Sequence, residues 1–150
     1  MSINFNHNLS AALENISTLK HKEFMVNSLE ELGKIKWQIV NCINSKFNTQ
    51  HDLYNWIHYN EQDEVAYFLN EAGSNALNHD IIKKFHLWLG EQGFIIALEQ
   101  ESGFNALEVN EQKIRENEGA AFHFYRNCKS RIFFDNPEEA KIVFMEHKFL

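Results

Sequence analysis

Apolar residues in the first half of the chain recur at helical spacing. Leu9, Ala12, Leu13 and Ile16 stand at i, i+3, i+4 and i+7, one face of a helix, and Asn8 is placed to cap it. A longer stripe runs through Met25, Leu29, Leu32, Ile39, Val40, Ile43 and Phe47, interrupted at Lys36. Gly33 lies inside it, where glycine costs about 1 kcal/mol relative to alanine and could bend the helix. Residues 51–60, HDLYNWIHYN, predict one to three helical turns. Asn60 then caps a helix with Glu61, Asp63 and Glu64 in its first turn, where the dipole favours negative charge. Val65, Phe68, Leu69 and Ala72 form its stripe, and Gly73 suits its end. Ile81, Ile82, Phe85, Trp88 and Leu89 predict a further helix over 77–89, stopped by Gly90 and Gly93.

After Gly93 the pattern changes. FIIALEQ reads as a strand. Phe104 to Asn117 reads as helix on Leu107 and Ile114, with FNALEV pairing back on FIIALEQ as the alternative. AAFHFYRN and RIFFD predict a hairpin joined around Cys128, Lys129 and Ser130, with Phe122 and Phe124 on one face and His123 and Tyr125 on the other. Asp135 or Asn136 would cap a last helix, with Pro137 at its first position, Glu138 and Glu139 in its first turn and Lys148 in its last. Ala140, Val143 and Phe144 would face the core. The expected fold is α+β in one domain over 1–150. It has a helix-rich N-terminal two-thirds, then a small antiparallel sheet of about three strands and a C-terminal helix.

Composition supports a packed core: 44% of the 150 residues are hydrophobic and 13 are Phe, whereas disordered chains are poor in aromatics. No run approaches the roughly 20 apolar residues that span a bilayer. The first residues lack the basic start and apolar core of a signal peptide. Cys42 and Cys128 have dissimilar flanks and read as unpaired thiols of a reducing compartment, so a cytoplasmic location is expected.

Charge is unevenly spread. The net is −7. Residues 49–75 hold five acids (Asp52, Glu61, Asp63, Glu64, Glu71) and no Lys or Arg, giving −5. Residues 91–118 hold seven Glu against Lys113 and Arg115, again −5, while 119–150 hold four acids and five bases, or +1. An acidic surface disfavours duplex DNA, whose affinity comes largely from phosphate neutralisation, and suits a basic partner.

Catalytic and metal motifs are absent from the sequence pattern. The chain has eight His, but the closest pairs, His51 with His58 and His79 with His86, are seven apart, about 10 Å along a helix. Neither pair suggests one ion, so no metal site and no cofactor are expected. There is no GxSxG and no phosphate loop. Cys128 beside Arg126, Lys129 and Arg131 is the best thiol candidate, since positive neighbours lower a thiol pKa. A hydrolytic site would have to draw on His123, Cys128, His79 and Asp80. The basic hairpin, with Arg126, Lys129 and Arg131 among aromatics, is the nucleic-acid alternative.

The leading expectation is an acidic cytosolic protein-binding module rather than an enzyme. It would act as an antidote that occludes a basic, nuclease-like partner. Its candidate contact residues are Asp52, Tyr54, Trp56, Tyr59, Glu61, Asp63, Glu64 and Tyr67. Tyr and Trp are enriched at interface hot spots, and the acids around them would steer a cationic protein.

Overall fold

A computed structural model describes residues 3–54, 57–58, 61–72, 82–108 and 128–149. Its elements run α1 (Leu9–Asn15), β1 (Thr18–Met25), α2 (Leu29–Phe47), β2 (Ile57–His58), β3 (Glu61–Gln62), α3 (Glu64–Tyr67), β4 (Ile82–Gly90), β5 (Gly93–Phe104), β6 (Arg131–Phe134) and β7 (Ala140–Lys148). Five strands form one antiparallel sheet in the order β1-β4-β5-β7-β6, and β2 pairs with β3 apart from it. The expected helix-rich fold with about three strands and a C-terminal helix is therefore overturned. Among the described residues, no helix is long and apolar enough to cross a membrane.

Three segments account for the difference: β1, over which no strand was expected, and two that were expected to be helical. IKKFHLWLG is strand β4, where helix was expected, and AKIVFMEHK is strand β7 in place of the last helix. Both strands bury apolar side chains on both faces. Phe85, Leu87 and Leu89 turn to one side, and Trp88 lies on the other beside His86. A strand buried on both sides loses the alternation that identifies it, and its apolar run can match a helical stripe. Asp135 caps no helix. Its carboxylate accepts the backbone N–H groups of Lys141 and Ile142 at the start of β7.

The helices that do form show their sequence causes. Asn8 caps α1 by accepting from Ala11, as expected. Ser28 caps α2, and the stretch before it, with Met25, is strand β1. Helix α2 runs unbroken through Gly33, whose absent side chain faces open space. Asp63 rather than Asn60 caps α3, which continues as a π-helical turn over Phe68–Ala72. Strand β5 contains FIIALEQ and β6 is RIFF, both as expected. AAFHFYRN, most of 104–117, and Gly73 lie outside the described residues, apart from a 3-10 turn at Ala106–Glu108.

The sheet is packed on both faces. Helix α2 lays Ile35, Ile39, Val40 and Ile43 over one face, against Phe85, Leu87, Phe94, Ile96, Val143 and Met145. Val65, Ala66, Phe68 and Leu69 of the α3 region join that core. On the opposite face α1 covers Trp88, Ile95, Ala97, Phe133 and Phe144 with Ala12 and Ile16.

Two glycines in different settings make a test. An added Cβ at Gly90 would lie 2.1 Å from the carbonyl oxygen of Ile16, whereas Gly33 has nothing within 4 Å. Gly33→Ala should raise the unfolding free energy by about 0.5–1 kcal/mol through the unfolded chain and helix propensity. Gly90→Ala should lower it by about 1–3 kcal/mol through overpacking. Urea unfolding of both variants measures this, and like-signed shifts would contradict the packing described.

Candidate metal centre

Side chains alternate across a strand, so His21 and Glu23 of β1 share one face of the sheet. In the β1–β4 register His21 lies opposite Trp88, and Glu23 opposite His86. This places all four on the side that carries α1, where Trp88 packs beneath the helix. His21 Nε2 is 3.2 Å from His86 Nδ1, and Glu23 Oε1 is 3.6 Å from the same nitrogen. One donor atom from each of His21, Glu23 and His86 lies within 4.8 Å of the other two. At a zinc–nitrogen distance of about 2.0–2.1 Å, neighbouring donors of a tetrahedral site stand roughly 3.3 Å apart. The spacing thus suits an ion after small side-chain adjustments.

The surroundings fix the ring of His86. Its Nε2 is 3.1 Å from Glu99 Oε1, on the next strand. A carboxylate only accepts, so Nε2 donates to Glu99, and Nδ1 is the ring nitrogen turned toward His21 and Glu23. This is the carboxylate–histidine pairing that orients metal ligands from the outer shell. The indole of Trp88 lies nearly parallel to both imidazoles, 4.5 Å from His21 and 5.3 Å from His86 between ring centres. The rings thus have a rigid floor. Burial, then the neighbouring His86 and Lys84, hold the His21 pKa below its ordinary value against the pull of Glu23. Lys84 Nζ is 3.9 Å from Glu23 Oε2. Among the described residues this is the group in which three such donors converge.

The residues singled out for partner binding are placed differently. Tyr54 is 81% exposed, with its ring 5.4 Å from that of Trp37. Asp52 accepts the Tyr54 backbone N–H. Asp63 is turned inward: it accepts from Val65 and Ala66 at the start of α3, takes the Asp52 N–H, and lies 2.8 Å from His51 Nδ1. Glu64 accepts the backbone N–H groups of Lys129 and Ser130 and the Ser130 hydroxyl. Tyr67 packs partly buried against the main core. Glu61 lies in β3, and Trp56 and Tyr59 fall outside the described residues, as do His79, Asp80, His123 and Arg126.

A second polar cluster joins His147 Nδ1 to Ser130 Oγ at 3.1 Å, and Ser130 Oγ to Glu64 at 2.8 Å. The hydroxyl stands between the carboxylate and the imidazole, and Ser130 is buried. A nucleophilic triad needs the imidazole in the middle, so this arrangement ties the 128–130 turn to α3. Cys128 is also buried, with its thiol directed at the Ser130 carbonyl. Arg131 is committed to the buried Glu146 and to His7, which removes one cation from the expected basic cluster.

Sequence reasoning missed His21 and Glu23 because no strand was read over 18–25, and it placed His86 on a helix. The available signal was the i, i+2 spacing of His21 and Glu23, which shares a face only on a strand. Comparison with protein-family models, with curated proteins and with solved structures found no match.

Acid should weaken the fold through His147. Burial, with help from His51, holds its pKa below the ordinary 6.5 despite the pull of Glu64. The unfolded chain therefore takes up a proton more readily than the folded one. Stability is complete above that ordinary value and is lost as the pH falls below it, until the folded ring protonates. Asp63 differs. Burial raises its pKa, but the hydrogen bond and charge of His51 and the Ala66 and Asp52 N–H groups outweigh it, and the net shift is down. Its contribution persists to lower pH and is lost as the pH falls through the depressed folded value. Unfolding free energy should thus decline from about pH 7.5 to about pH 5, and His147→Gln should flatten that slope. An equal slope in the variant would reject the role of His147.

Proposed function

We propose that this protein is a cytoplasmic binder of a zinc-class divalent cation, held on the sheet face by His21, Glu23 and His86. The convergence of those three donors from two paired strands, with Glu99 orienting His86, supports the reading. Two imidazoles and a carboxylate suit Zn²⁺ and its transition-metal neighbours. Calcium and magnesium favour sets of six or more oxygens. Three protein donors leave one tetrahedral position unfilled, and half of the Glu23 side chain is exposed. The cytoplasmic part rests on Cys42 and Cys128, both free, as in reducing compartments.

Calorimetric titration with Zn²⁺ should give one ion per chain, reversed by a chelator. His86→Ala should abolish binding at micromolar metal, and Glu99→Gln should weaken it about 10–100-fold. Equal zinc affinity in wild type and His86→Ala would overturn the proposal.

A second reading keeps the acidic module that holds a basic, nuclease-like protein. Tyr54 favours it, since a tyrosine so exposed beside an acidic stretch fits an interface anchor better than a core position. Capture from cell lysate at low salt, eluted by salt, should recover a basic protein. Tyr54→Ala should weaken that complex by at least about 1 kcal/mol with the melting temperature unchanged. A basic protein retained equally by the variant would exclude Tyr54 from the interface.

A further inference from the structure

We infer that a second copy of this chain completes the metal site, by antiparallel pairing of the two β1 edges. The inference rests on the metal reading above. Strand β1 is outermost in the sheet, so one row of its backbone N–H and C=O groups has no strand beside it among the described residues. An open edge of this kind is a template for pairing with another chain.

The residues along the edge select the register. About a two-fold axis at Lys22, antiparallel pairing sets His21 of each copy opposite Glu23 of the other. Leu19 meets Met25, and Lys20 meets Phe24. Leu19 and Met25 are 60% and 51% exposed, and in this register each covers the other. Moving the axis to His21 sets Leu19 opposite Glu23 and Lys20 opposite Lys22, and the match is lost.

Directly opposed residues have Cβ atoms about 4.5–5.5 Å apart. Glu23 of the second copy therefore comes within reach of an ion held by His21, and it supplies the donor that three ligands leave wanting. The two Glu23 carboxylates then bridge the two ions, so that each ion has two imidazoles of its own and a share of both carboxylates.

Lys22 opposes this pairing, because it meets itself across the axis and like charges directly opposite are unfavourable. Its Nζ is drawn back to Cys42 Sγ at 3.4 Å, which softens the repulsion. What remains keeps the edges apart until an ion bridges them, so assembly follows metal. The assembly also stops at two. The other edge strand, β6, is bridged at Ile132 by Ile3 of the N-terminal segment and, among the described residues, offers no equivalent open edge.

The test is sedimentation velocity of the full chain with Zn²⁺ and with a chelator, alongside zinc content per chain. A monomer in chelator and a dimer carrying one zinc per chain is the expected result. Met25→Lys should retain zinc binding while raising the dimer dissociation constant at least about tenfold. A zinc-loaded monomer would overturn the inference and leave the metal reading standing. A chain that binds no zinc would overturn both. A dimer of equal strength in chelator, or one indifferent to Met25→Lys, would reject metal-linked pairing through this edge.

Discussion

A slip of β1 by one residue along β4 would carry His21 and Glu23 to the face that packs on α2, because side chains alternate along a strand. The joint between α1 and β1 prevents that slip. The carbonyls of Ile16 and Ser17 accept the N–H groups of Gln92 and Glu91 at the β4–β5 turn, at 3.0 and 3.1 Å. Gly90 leaves the space into which the Ile16 carbonyl fits. Ser17, at φ 53°, supplies the left-handed step that turns the chain from helix into strand. From that anchor β1 is laid antiparallel on β4, with one irregularity between Thr18 and Lys20. His21 then falls on Trp88, and Glu23 beside His86.

The same joint decides where the sheet is left open. Helix α1 has seven residues, about 10 Å at 1.5 Å per residue. Strand β4 has nine, about 30 Å at 3.4 Å per residue. A helix that short covers part of one face and no more. The covered part is apolar, with Trp88, Ile95, Phe133 and Phe144 beneath Ala12 and Ile16. Beyond it the face carries Glu23, Lys84, His86 and Glu99, which tolerate water and, in its place, an ion.

Local signals in the sequence were legible where one physical cause dominated. The Asn8 cap, the stripe of α2 and the strands FIIALEQ and RIFF all follow from nearest-neighbour chemistry. Strands β4 and β7 were not legible, because each is covered on both faces, shows no period of two, and has apolar positions that also fit a helical stripe, whereas FIIALEQ, buried on both faces as well, is an unbroken β-rich run. That error carried the site with it. His86 on a helix pairs with His79, seven residues away, whereas His86 on a strand meets residues 65 and 63 positions earlier in the chain (His21 and Glu23). Such pairings belong to sheet order, which no local pattern encodes. The acidic stretch misled in another way. Composition counts Asp63 and Glu64 as surface charge, yet the fold uses both as acceptors for backbone N–H groups, so they are engaged inside the fold before any partner arrives.

Two histidine–glutamate clusters lie on the face that carries α1, and their partners decide which can take a ligand. Glu146 is 3% exposed and is held by His7, Asn15 and Arg131. Taking it from those partners would leave an uncompensated buried charge, at a cost of several kcal/mol. Glu23 is half exposed, with His86 at 3.6 Å and Lys84 at 3.9 Å. Exposed pairs of that length contribute at most about 1 kcal/mol, so Glu23 can leave them for a cation at little cost. His86 already has its Nε2 hydrogen committed to Glu99, and only the contact with His21 must reorganise. The open cluster is therefore the one where a divalent ion gains more than it displaces.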